Sequence, residues 1–124
     1  MTTTDNTYHV VTDGVIYTVK AGEIAIIEAG GVASVLAGGY AVVRQRGYAK
    51  VLTGGEAQVE EDGYAYVRAN GTAYVYDGGL ATVEADGTAY IHNGGHAYVA
   101  AGGTVYKESY GTVNVANGAI VINI

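Results

Sequence analysis

The chain has 124 residues, a formal net charge of -6, 20 glycines and 12 tyrosines, and no proline, cysteine, tryptophan or phenylalanine. The missing cysteines exclude a disulfide framework and a thiolate metal site, and an acidic balance with Lys and Arg nowhere clustered excludes a phosphate-docking, nucleic-acid-binding surface. No stretch is apolar for long enough to insert in a bilayer, and the start, MTTTDNTYHV, lacks the regions of a signal peptide, so cytoplasmic synthesis is expected, with association with a virion left open.

Residues 1–6 are polar and lie outside any repeat, which marks them as a tail or cap. From residue 7 to residue 124 the chain is one eight-residue unit repeated without insertion, clearest at residues 71–102, which read GTAYVYDG, GLATVEAD, GTAYIHNG and GHAYVAAG. An unbroken repeat leaves no place for a boundary, so residues 7–124 are expected to form one domain. The first two units fit loosely, with His9 and Tyr17 at the third position, where larger residues serve to close an open end. From Glu23 onward the third position is Ala, beginning at Ala25, Ala33 and Ala41 and running to Ala97. The fifth is Val or Ile from Val11 to Val99, and Gly opens every unit from Gly31 to Gly111.

Eight residues hold about five in extended form and a turn of about three. A helix is excluded, since a glycine in every unit would cost it about 1 kcal/mol each and the pattern alternates with period two. The third and fifth residues share a face, and because they stay small or β-branched that face is the buried one. The seventh position separates alternate units: Ala21, Ala37, Ala69, Ala85 and Ala101 dominate one series, while Asp13, Gln45, Glu61, Asp77 and Asn93 dominate the other. One corner is apolar and the other polar, so the period is two octapeptides.

The predicted fold is all-β, a two-sheet parallel β-solenoid with 16 residues per rung, roughly seven rungs and a thin Ala/Val core. Residues one rung apart stack at about 4.8 Å, which places Arg44 between Glu28 and Glu60 and sets Tyr74, Tyr90 and Tyr106 beside Thr72, Thr88 and Thr104. The pattern breaks at Lys107 and Asn123, which stand where Val belongs. A buried, unpaired ammonium costs several kcal/mol, so either the last rungs shift register or Lys107 reaches solvent. The final AIVINI carries no charge or proline to discourage pairing at its edge.

Candidate chemistry is sparse. His92 and His96 flank a corner as HNGGH with Asp86 nearby in sequence, but no third ligand falls at fixed spacing, and histidines beside a surface turn explain them. The DG and NG pairs beginning at Asp13, Asp62, Asp77, Asp86, Asn93 and Asn117 resemble the calcium β-roll of nonapeptide-repeat proteins. That motif needs nine residues and a recurrent Asp, so these residues are expected to supply left-handed turn conformations instead. Glu60, Glu61 and Asp62 could pose as paired catalytic carboxylates, yet Glu60 is matched to Arg44 and no cleft is implied. Neither an enzyme nor a cofactor is expected.

The outward columns are more informative. On the odd-numbered strands the central column carries Val10, Ile26, Val42, Gln58, Tyr74, Tyr90, Tyr106 and Ile122, apolar or aromatic at all but Gln58, flanked by Tyr8, Ile24, Tyr40 and Ile120. The opposite face has Thr18, Ser34, Lys50, Tyr66, Thr82, Tyr98 and Asn114 in its centre. An apolar strip of that length marks an association surface, so the expected partner is the chain itself, as a homodimer or homotrimer, or another appendage subunit. The alternative is a surface-binding face formed by Thr72, Thr88, Thr104, Tyr74 and Tyr90. Its Thr column resembles one rank of the insect ice-binding β-solenoids, which implies ice as a ligand, and the Tyr ladder would suit a glycan.

The octapeptide period also resembles the triple-stranded β-helices of phage tail spikes and cell-puncturing needles, which implies a structural role in a phage tail and, as the second architecture, three interwound chains. Those needles place Val and Gly two apart, whereas here they are four apart with Ala between. The reading reached from the sequence is a non-catalytic, self-associating structural or adhesive β-solenoid.

Overall fold

The computed structural model describes residues 8–124; the expected tail at residues 1–6 and Thr7 lie outside the described residues. The described chain forms fifteen four-residue strands: β1 (Tyr8–Val11), β2 (Ile16–Val19), β3 (Ile24–Ile27), β4 (Val32–Val35), β5 (Tyr40–Val43), β6 (Tyr48–Val51), β7 (Glu56–Val59), β8 (Tyr64–Val67), β9 (Thr72–Val75), β10 (Leu80–Val83), β11 (Thr88–Ile91), β12 (His96–Val99), β13 (Thr104–Lys107), β14 (Thr112–Val115) and β15 (Ile120–Asn123). Odd strands make an eight-stranded parallel sheet in chain order and even strands a seven-stranded one. Tyr40 pairs with Glu56, Ala41 with Ala57, Val42 with Gln58 and Val43 with Val59, so each residue lies beside the one a full rung later in the same chain. This is the two-sheet solenoid of about seven rungs, not three interwound chains.

The inward residues grade in size along each strand. Ala41, Val43, Ala57 and Val59 have no accessible surface, and among the described residues no polar or charged residue is buried. The opening glycine also points inward, and its lack of a side chain is what lets the sheets close. A Cβ on Gly79 would lie 2.7 Å from the Val59 carbonyl oxygen and 3.0 Å from Val59 Cγ1; on Gly55 it would lie 3.1 Å from Val35 Cγ1. The first position of one sheet therefore faces the fifth position of the other, small against large, and Ala faces Ala between them.

Each corner is a four-residue turn in which the opening amide donates to the sixth-position carbonyl, as Gly63 N does to Glu60 O at 2.8 Å. The eighth residue takes positive φ, as at Gly78 (φ 81). Asp62 and Asp86 adopt this conformation as expected, but Asp13, Asp77, Asn93 and Asn117 sit one place earlier, and the glycine after each turns instead. Asn70 (φ 65), the first residue of a further NG pair, fills the same place, and Arg46 (φ 70) does so without a sequence cue. The corners are themselves hydrogen-bonded rung to rung: Asp62 N donates to Gly78 O, Gly78 N to Gly94 O and Gly94 N to Tyr110 O, each at 3.0 Å.

Lys107 keeps the register, pairing between Ile91 and Asn123. Its side chain is half-buried and its ammonium donates to the Glu108 carbonyl at 3.2 Å and the Ser109 carbonyl at 3.4 Å. Of the two outcomes open from the sequence, the ammonium escapes to the corner and the ladder stays straight. The third position compensates: Val105 replaces Ala and is fully buried, with Val113 and Val121 packed partly behind it. Lys107→Val should therefore stabilise the rod by about 1 kcal/mol through added apolar burial. Thermal denaturation should show a midpoint a few degrees higher; a lower midpoint would mean that the carbonyl contacts outweigh burial.

Candidate interaction surface

Positions two and four of each eight-residue unit, the first and third residues of each strand, point outward, and together they form two broad faces, one per sheet. Charge is almost absent from both: Lys50 on the even sheet and Glu56 on the odd sheet are the only charged residues at these positions. The remaining described charges lie mainly at positions six to eight, where Arg44 bridges Glu28 at 3.4 Å and Glu60 at 4.0 Å, and Arg68 meets Glu84 at 2.8 Å. Apart from one charge on each face, charge is thus concentrated at the corners, which rim two otherwise uncharged faces. Tallying charges by repeat position would have revealed this from the sequence.

On the odd face the anticipated column is in place. Val10 is 59% exposed, Ile120 52% and Ile122 39%, while Ile24, Ile26, Tyr40, Val42, Tyr74, Tyr90 and Tyr106 are half-buried along the ladder. Tyr74 stacks on Tyr90 with ring centroids 5.1 Å apart, and Tyr90 on Tyr106 at 4.8 Å, with planes within 12°. Thr72, Thr88 and Thr104 stand in register beside them. The rings turn their faces to one another. Burial pushes the Tyr40 and Tyr74 phenols up, aided by Tyr76 and Glu56 respectively.

Diagonal contacts lock the outward tyrosines to the next rung. Tyr40 Oη donates to Gln58 Oε1 at 2.8 Å, Tyr64 Oη meets Thr82 Oγ1 at 2.6 Å, and Tyr66 Oη donates to Glu84. The even face is less polar than its centre suggests, because its second-position column holds Ile16, Val32, Tyr48, Tyr64 and Leu80. Ile16 is 80% exposed.

The other candidates separate. His92 stacks on Tyr76 at 4.4 Å and its Nδ1 lies 3.4 Å from Glu108, while His96 packs edge-on against Tyr98 on the opposite sheet. Among the described residues no group of three or more His, Cys, Asp or Glu side chains is placed to hold a metal. Glu60, Glu61 and Asp62 line a shallow, open hollow with Arg44 and Gln45. A groove of about 850 Å³ runs along the Ala-rich corner past Leu36, Leu52, Ala69 and Ala85. It is open along its length and holds one Arg–Glu pair, Arg68 with Glu84.

No family model and no curated protein matches the chain. Among solved structures, the chain is similar to a TibC-catalyzed hyper-glycosylated TibA fragment, at 23% identity and a TM-score of 0.38 over 90% of this chain. The match spans 56% of that fragment's length.

Proposed function

We propose that the chain is a non-catalytic structural or adhesive β-solenoid that associates with copies of itself through its sheet faces. The observation that carries this reading is the concentration of charge at the corners, which leaves two faces with a single charge each and apolar residues half-exposed along them. Soluble monomers rarely leave so much contiguous apolar surface bare. The octapeptide period supports a place in an appendage, such as a phage tail spike or fibre. Ligand binding on the same face is less favoured. The Tyr rings cover one another's faces, where a sugar would have to stack, and the Thr column is flanked by Tyr rather than by a second Thr rank.

The test is association. The unmodified chain should sediment as an oligomer at micromolar concentration. Ile26→Lys together with Val42→Lys places two ammonium groups side by side, since Ile26 and Val42 are ladder partners on the odd face. That variant should lose affinity by about a hundredfold or more, with an unchanged strand signal in circular dichroism because both side chains point away from the core. An unmodified chain that sediments as a monomer would sink the reading.

A further inference from the structure

We propose that copies of this chain stack face to back, the odd sheet of one on the even sheet of the next, so that Glu56 of one copy meets Lys50 of its neighbour. The inference rests on the self-association reading and specifies its geometry. It follows from how the two faces are aligned through the thickness of the rod. Inward, the first position of one sheet faces the fifth of the other, as the approach of Val35 Cγ1 to Gly55 and of Val59 Cγ1 to Gly79 requires. Outward, the second position on one face must then stand back to back with the fourth on the other. Lys50, at the fourth position of the unit that holds β6, and Glu56, at the second position of the unit that holds β7, belong to consecutive strands and so share a rung and a lateral position on opposite faces. Each is the only charge on its face.

A copy displaced straight across the sheets brings these columns together. The odd face's fourth-position column, with Ile26, Val42 and Tyr90, lands on the even face's second-position column, with Ile16, Val32 and Leu80. The odd face's second-position Thr72 and Thr88 land on the fourth-position Tyr66 and Thr82. At these positions apolar meets apolar, hydroxyl meets hydroxyl, and the lone carboxylate meets the lone ammonium, while towards the ends Ile24 lands on Thr18 and Ile120 on Asn114. A two-fold packing of odd face on odd face lacks this match, because it supplies no cation for Glu56. Neither Lys50 nor Glu56 is engaged in an ion pair within its own chain among the described residues. Displacement without rotation does not close on itself, so the assembly is an open stack that grows with concentration.

Charge reversal tests this. Lys50→Glu gives a copy with an acid on both faces, and Glu56→Lys one with a base on both, so each alone should associate about tenfold or more weakly than the unmodified chain. An equimolar mixture of the two should recover stacking, because each mutant face then finds its opposite; the double variant Lys50→Glu, Glu56→Lys should recover it alone. Lys50→Gln and Glu56→Gln give intermediate losses and guard against a folding defect in the reversed forms. An oligomer of fixed mass that is indifferent to Lys50→Glu would overturn the stacking geometry and leave self-association standing. A monomeric unmodified chain would remove both.

Discussion

Val59→Asp is expected to abolish the folded rod. Val59 has no accessible surface and lies in a ladder between Val43 and Val75. No buried polar residue is available among the described residues to receive a carboxylate. Leaving a charge there unpaired costs at least about 4 kcal/mol, a large share of what holds any small domain together. The sheets are too thin to bury the group more deeply, and the side chain is too short to reach the corner as Lys107 does. Thr82→Asp is the control: Thr82 faces outward and accepts from or donates to Tyr64 Oη, a contact that a carboxylate can keep as acceptor. Its cost should stay within about 1 kcal/mol. Far-UV circular dichroism and urea titration of the two variants separate the outcomes, and a cooperative transition for Val59→Asp near that of the parent chain would contradict the packing described above.

Adding one methyl group at Gly79 should destabilise nearly as much. The new Cβ would meet the Val59 carbonyl at 2.7 Å, Val59 Cγ1 at 3.0 Å and the Glu60 carbonyl at 3.1 Å. Two of these contacts are backbone, and moving them breaks the ladder that Val59 and Glu60 share with their neighbours. About 3 kcal/mol is the expected loss for Gly79→Ala. The preceding glycine offers a comparison. Gly78 has φ 81 and its added Cβ would meet Glu61 Cγ at 2.9 Å, the stem of an exposed and flexible side chain, with a looser backbone approach to Glu61 Cα at 3.2 Å. Gly78→Ala should therefore cost mainly the left-handed penalty of about 1 kcal/mol. Urea midpoints that fell in the reverse order would show that turn conformation, and not sheet closure, dictates the repeat's glycines.

The architecture was legible because the same residue types recur at the same offset. Ala37 against Glu61 on alternate corners revealed two strands per rung, and Glu28, Arg44 and Glu60 gave the register, which the ion pairs bear out. Reading was harder where two solutions satisfied the same chemistry. Lys107 could have moved the ladder or its own head group; only the nearness of the Glu108 and Ser109 carbonyls decides for the second. The DG and NG pairs looked alike in sequence, yet Asp62 and Asp77 occupy different turn positions because one stands eighth in the repeat and the other seventh. The even face was read from its centre alone, which hid the Ile16, Val32 and Leu80 column beside it.

The bonding of every strand and corner to its counterpart one rung away sets how the rod carries load. Tension along the axis pulls the rungs apart in series, each junction held by two four-residue ladders and two turn contacts, so extra rungs would lengthen such a rod without strengthening it. A sideways force is shared by neighbouring rungs and resisted by the dry Ala/Val spine. Under axial pull the junctions around β13 to β15 should part first, for there Lys107 and Asn123 replace valine and Val115 is 48% exposed.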